Sequence, residues 1–274
     1  MPLKLSEQYW QSGKGLPCRQ YLVNHNKKFI YCPIPKVANS SLRLWVLRIH
    51  KQESKSSDIN CEYSKENIKY ANKYLTLSRY GDCERGELIN DETYFKFVFV
   101  RNPWSKLVSA YLNLVVDNDK FSIKQLEPMY IFLRKDCSLI ESQRLTFREF
   151  IIYVYNTPDE EINYHFKSQY LFFGDYSFNF IGKYEFLESQ IGLIMNKLAI
   201  TVPLPKINFN NYCNYDCQIN CCADCDVSTL NIFLNQNGKF PHWKSFYNPE
   251  LINFVGTRYK LDIAKFGYAP PKLS

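Results

Sequence analysis

FIYCPIPKVANSSLRLWVLRI, from Phe29 to Ile49, changes character twice. Phe29 to Ile34 is apolar and aromatic, the composition of a short strand. Pro33 and Pro35 stiffen its exit. Lys36 to Ser41 is a short polar run. Beyond it, Leu42, Trp45, Val46 and Ile49 follow the i, i+3, i+4, i+7 spacing of a helix with one apolar side. Asn39, Ser40 or Ser41 is the expected cap. The stretch predicts a strand, a tight loop with one lysine, and a helix. A helix N-terminus presents unpaired N–H groups and the positive end of its dipole, which suits a phosphate-like anion. The hydroxyls of Ser40 and Ser41 add donors, and Lys36 adds a cation. The competing reading is a capped, buried helix beside an unrelated lysine. The patterns G-x-x-x-x-G-K-[ST] and G-x-G-x-x-G are missing, so an anion here is not held by a glycine-rich loop.

A second unit of the same kind follows. Tyr94 to Val100, YFKFVFV, is apolar at nearly every position, as expected of a central strand covered on both faces. It runs into Arg101, Asn102 and Pro103, and Pro103 suits the first position of a helix. Trp104, Leu107, Val108, Tyr111, Leu112 and Val115 mark that helix's apolar side. Arg101 offers a planar fork of donors suited to a terminal phosphate. Ser105 and Ser109 lie four apart on the helix, so Ser109 can complete such a grip. Taken alone, the same residues also fit a structural arginine with two ordinary helix serines. Parallel strands ending side by side would bring both loops to one crevice, where open α/β sheets bind ligands. Two anion grips there imply one ligand with two separated phosphate-like groups.

Composition narrows the class. The 274 residues suit one α/β domain over 1–274, and 46% hydrophobic content with 20 Phe and 21 Tyr supplies its core. The net charge of +7 suits an anionic ligand. The lysines are scattered rather than gathered in a stripe, which speaks against nucleic acid. Residues 1–28 hold no apolar run long enough for a signal peptide or membrane span, and no later stretch does. The expectation is a cytoplasmic chain, with the Golgi lumen as the alternative should an anchor lie upstream.

The pair PKVANSS (35–41) and FVFVRNPWSKLVSAY (97–111) resembles the Golgi carbohydrate sulfotransferases, sulfotransferase family 2, and their bacterial relatives. HFKSQY (165–170), FNFIGKYEFLES (178–189) and YKLDIAKFGY (259–268) look like the family's later landmarks in the same order. The resemblance implies a P-loop-like α/β fold, with a mainly parallel sheet flanked by helices. It implies 3′-phosphoadenosine 5′-phosphosulfate (PAPS) as sulfuryl donor and a hydroxyl acceptor, carbohydrate first, with a small alcohol or amine as alternatives. Carried over by position, Lys36, Asn39, Ser40 and Ser41 face the 5′-phosphosulfate, with Val37 and Ala38 supplying backbone N–H groups. Arg101 and Ser109 take the 3′-phosphate. No metal is required, because Lys36 can neutralise the bridging oxygen of the leaving phosphate. The spans 51–93 and 116–145 match no landmark and are expected on the acceptor side.

The rest of the chain is scaffold apart from two features. Thr146 and Glu149 make a capping-box pattern. Phe178 to Ile181 is a short strand, Glu185 to Leu198 a helix, and Asn248 with Pro249 opens a last helix through Tyr259. The first feature is His165, placed on a loop after Pro158. An imidazole there can accept an acceptor hydroxyl's proton near neutral pH, so His165 is the candidate general base. Glu185 and Asp262 lie in stretches expected to pack. The second is CNYDCQINCCADC (213–225), within a Cys-rich loop over 210–227. Its spacing is not the paired C-x₂-C of zinc ribbons, and a metal site, local disulfides and a reduced loop all stay open. Two rival functions remain. A nucleotide kinase lacks its glycine-rich loop and an acidic Mg²⁺ motif here. A non-catalytic nucleotide- or glycan-binding protein would keep both grips without turnover.

Overall fold

A computed structural model describes residues 17–55, 61–116, 123–136, 138–140, 144–207, 212–213 and 221–273. The chain divides into two compact units, Met1–Arg101 with Gln169–Phe209, and Asn102–Ser168 with Asn210–Ser274. The first unit contains a four-stranded sheet in the order β1 (Leu22–Asn24), β2 (Phe29–Cys32), β3 (Phe95–Val100) and β4 (Phe180–Lys183). β1 pairs antiparallel with β2, and β2, β3 and β4 run parallel. The first unit also holds α1 (Asn39–Glu53), α2 (Lys65–Tyr74) and α3 (Asp82–Asn90). The second holds α4 (Pro103–Tyr111), α5 (Ile123–Arg134) and α6 (Phe147–Asn156). The chain then returns to the first for β4 and α7 (Leu187–Lys197), and ends in the second with α8 (Val227–Asn237), α9 (Pro249–Arg258) and α10 (Lys260–Phe266). This is the expected α/β class with a mainly parallel sheet.

β3 is internal and buried at every position after Phe95, which is why its sequence is nearly continuous in apolar residues. Its Phe97 ring is the centre of the first core. It lies 5.7 Å from Phe29, 5.2 Å from Tyr31 and 6.4 Å from Trp45 of α1. Trp45 satisfies its indole N–H on the Val202 carbonyl at 2.7 Å. Gly182 lets β4 approach: a Cβ there would fall 2.4 Å from the Phe99 ring, so no larger residue fits without displacing it.

The second unit is a helical cluster around aromatic residues. Phe147 of α6 meets Tyr111 at 5.3 Å, Phe246 at 5.4 Å and Tyr247 at 5.1 Å. Helix starts follow the sequence closely. Asn102 caps α4 by accepting from the N–H groups of Trp104 and Ser105, with Pro103 at the first position. Thr146 and Glu149 form the full capping box of α6, and Asn248 caps α9 ahead of Pro249. α4 ends at Tyr111 and continues as a π turn over Leu112–Val116, so its apolar side extends as far as the spacing predicts but with a wider winding.

Candidate functional site

The loop after β2 departs from its expected cap. α1 starts at Asn39, and the capping position belongs to Ala38, whose side chain accepts nothing from the helix. Ala38 is left-handed, with φ 49° and ψ 27°, and so is Lys36 at φ 65°. Neither is glycine, so the loop carries a conformational cost of roughly 1–2 kcal/mol at each position. Such cost gathers where function needs a backbone shape. The two left-handed residues bracket Val37, whose N–H turns back to donate to the Ile34 carbonyl at 3.3 Å. Tight turns of this kind, with a left-handed residue ahead of a helix, are where proteins build anion-binding backbone. The first turn of α1, with no side-chain cap, leaves further donors for a ligand. Lys36, Asn39 and Ser40 are half-buried. Asn39 Oδ1 accepts from Arg43 Nε at 3.0 Å. Ser41 is buried; its hydroxyl accepts from the Ile207 N–H at 3.1 Å and donates to the Ile207 carbonyl at 3.4 Å. Ser41 thereby ties α1 to the 204–207 segment.

Arg101 is the residue after β3, and the parallel register sets its loop beside the one that follows β2. Its Nη1 donates to the Lys36 carbonyl at 3.0 Å, so the two loops of the first unit are bonded to each other. The guanidinium lies over the Tyr184 ring, 4.3 Å from its centroid, a cation–π contact that orients the fork. Tyr184 directly follows β4, so three successive parallel strands deliver Lys36, Arg101 and Tyr184 to one edge of the sheet.

Tyr184 also lines a cavity of about 620 Å³ together with Glu185, Phe186, Glu188, Leu204 and Lys206. Phe186 is 58% exposed, an apolar ring presented to solvent at the rim. Lys206 Nζ pairs with Glu188 Oε1 at 2.5 Å. This wall escaped sequence reading. Glu185, expected to pack, is exposed and lines the cavity. FIGK is too short and mixed a segment to mark the following Tyr184 as a site residue. Only its pairing with β3 does so.

The other two expected site residues belong to the second unit. Ser109 is buried on α4. His165 lies in a turn, as expected, half-buried, with its Nδ1 2.9 Å from Asn163 Oδ1. The segment carrying it is clamped. Lys106, fully buried on α4, donates its Nζ to the carbonyls of His165 and Lys167, both at 3.1 Å. Tyr259 donates its hydroxyl to the Phe166 carbonyl. Asp159 accepts from the Ser168 N–H at 3.1 Å and from its hydroxyl at 2.9 Å. Arg258 then grips Asp159 with a fork of 2.8 and 3.1 Å. The backbone beneath the imidazole is thus held from two helices.

Burial pushes the Asp159 carboxyl up, but the Arg258 guanidinium and the Ser168 donors outweigh it, so the group is held below its ordinary value. A depressed carboxylate stabilises the fold above its unfolded pKa of about 3.9, and that stabilisation is lost as pH falls through the folded value. Arg258→Ala should therefore destabilise the protein by about 3–5 kcal/mol at neutral pH, because it strands a buried carboxylate. Thermal melts of wild type and variant should converge as the pH drops below about 4. An unchanged melting temperature at pH 7 would show the pair to be dispensable.

Cys221, Cys222 and Cys225 are free thiols, and Cys213 is buried. Cys217 lies outside the described residues. Burial raises the Cys222 and Cys225 thiols, so both stay protonated near neutral pH. Among the described residues no group of three or more His, Cys, Asp or Glu is placed to hold a metal, and no helix is long and apolar enough to cross a membrane.

The sulfotransferase family model matches residues 19–269. Carbohydrate sulfotransferase 14 of Danio rerio is 30% identical over 183 residues, covering 65% of this chain and 48% of the relative. Carbohydrate sulfotransferase 11 of Rattus norvegicus is 23% identical over 263 residues, covering 92% and 68%. Human carbohydrate sulfotransferase 10 is 24% identical over 189 residues, covering 63% and 51%. In these alignments the chain spans from about half to about two thirds of the relatives' length. No solved structure matches the chain significantly.

Proposed function

This chain belongs to the sulfotransferase family, and on that premise we propose that it moves a sulfuryl group from PAPS to a carbohydrate hydroxyl. The observation that carries the reading is the bond from Arg101 to the Lys36 carbonyl, which joins two anion-binding loops at one edge of a parallel sheet. A ligand with phosphate groups at both ends of a ribose would meet both loops. The uncapped start of α1 and the left-handed turn before it fit the 5′ group. Arg101 fits the 3′-phosphate, with Ser109 of α4 as its proposed second donor. The cavity behind Tyr184 has room for the base.

The donor, when bound, supplies a sulfuryl group on a phosphate leaving group. Lys36 and the Ala38 N–H would hold charge as it develops on that phosphate. The Val37 N–H, expected to join them, donates to the Ile34 carbonyl at 3.3 Å instead. Asn39, Ser40 and the start of α1 orient the 5′ side. His165 would take the proton of the attacking hydroxyl, its ring set by Asn163 and its backbone by Lys106. None of these roles requires a metal. The carbohydrate acceptor rests on the names of the relatives.

Adenosine 3′,5′-bisphosphate should raise the melting temperature, since a ligand bound only by the folded state stabilises it by about 2.7 kcal/mol at one hundred times its Kd. ADP and ATP should do much less, and Arg101→Ala should remove most of the shift. Equal shifts with ATP would overturn the reading. Transfer from labelled PAPS across a panel of glycans and small alcohols then identifies the acceptor.

A further inference from the structure

We infer that Gln169 is a positioning residue that sets the nucleotide specificity of this site by holding the backbone of Arg101. The inference rests on the proposed contact between Arg101 and the 3′-phosphate. β3 stops pairing at its last residue: Cys32 of β2 faces Val98, and Lys183 of β4 faces Val100. Arg101 lies one residue past the last paired position of β3. There the Gln169 side chain bonds both of its main-chain groups. Its Oε1 accepts from the Arg101 N–H at 2.9 Å, and its Nε2 donates to the Arg101 carbonyl at 2.8 Å. The carboxamide thus acts as one more rung of the ladder, made by a side chain.

Few residues can do this. The task needs one donor and one acceptor side by side at peptide spacing, which only Asn and Gln side chains offer, and the shorter Asn would draw back from Arg101. Gln169 is fully buried and opens a 3₁₀ turn over Gln169–Phe173. That turn is itself anchored, because the Phe172 carbonyl accepts from the Tyr21 hydroxyl and from the Cys32 thiol. Gln169 therefore transmits the position of the sheet to Arg101. With its backbone fixed, and its guanidinium bonded to the Lys36 carbonyl and laid over Tyr184, the arginine has little freedom left to lose on binding. A guanidinium on a loose backbone would still bind phosphate, but it would give up part of the gain to ordering.

The test compares dissociation constants for adenosine 3′,5′-bisphosphate and AMP, measured by calorimetry on the full chain. The two ligands differ only in the phosphate assigned to Arg101. Wild type should prefer the bisphosphate by roughly 10- to 100-fold, the range of a charged hydrogen bond. Gln169→Leu should shrink that ratio about tenfold while AMP affinity changes little. Gln169→Glu keeps the acceptor but loses the donor, preserves the shape, and should shrink the ratio in the same direction. It decides the matter if the leucine variant fails to fold. On an Arg101→Ala background, Gln169→Glu should lower the ratio no further. A wild-type chain without preference for the bisphosphate would overturn the Arg101 assignment and this inference with it. A wild-type preference that survives in Gln169→Glu would overturn this inference alone. So would a variant that loses both ligands in step, since that marks a general structural role.

Discussion

Lys36→Ala is expected to lower kcat by about 10²- to 10³-fold, the cost of removing one preorganised electrostatic contact to a developing charge. The lysine stands in the left-handed turn between β2 and α1, with its own carbonyl engaged by Arg101. The backbone that carries it is thereby tied to the loop after β3. In the ground state a phosphosulfate shares its charge over many oxygens, so a single cation gains less from it. As the sulfur–oxygen bond breaks, charge gathers on the bridging oxygen, and a cation there gains most at that moment. Affinity for adenosine 3′,5′-bisphosphate should therefore fall far less than turnover. Steady-state transfer assays beside calorimetry with the product would show this split. A variant that loses product affinity as steeply as kcat would place Lys36 in ground-state binding instead.

His165→Ala is expected to lower kcat by about 10²- to 10⁴-fold, with affinity for adenosine 3′,5′-bisphosphate nearly unchanged. A sugar hydroxyl is a weak nucleophile until its proton leaves. An imidazole near neutral pH is the side chain suited to take it. The clamp from Lys106, Tyr259 and Asp159 spends buried groups on holding the backbone of residues 165–168, an outlay that makes sense if the ring must stay in place. Wild-type kcat should rise with pH as the base loses its proton, because it works only when deprotonated. The alanine variant should lose that limb and keep a shallow residual slope. Near-normal turnover in the variant would move the base elsewhere, and a carboxylate from 51–93 or 116–145 would be the next candidate.

Much of the fold was legible because it is written in consecutive residues. Two apolar strands each run into a polar loop and then a one-sided helix, and the model keeps both units with their boundaries shifted by a residue or two. Pro103, the capping box at Thr146 and Glu149, and the Asn248–Pro249 start act within one turn of chain, so their residue types suffice to announce them. The loops that carry Lys36 and Arg101 were legible for the same reason. The cap of α1 was not. Asn39 and the two serines are good capping residues, yet the left-handed turn at Lys36 and Ala38 moves the capping position one residue ahead of them, to Ala38.

By itself, then, the sequence determined the α/β class, the paired strand–loop–helix units and the family, since each depends on local spacing or on motifs read in order. Tertiary structure alone decided which of those residues act together. Strand β1 is three residues long and has no period to detect, and it exists because β2 offers an edge. Tyr184 reaches Arg101 because β4 pairs with β3, a matter of register that no short segment encodes. Gln169 meets Arg101 across 68 positions, and Ser41 meets Ile207 across 166. Such contacts are single hydrogen bonds between residues without periodicity. They become specific only once the sheet has fixed the distance between their backbones, and for that reason the grips were visible in the chain while the side chains that hold them in place were not.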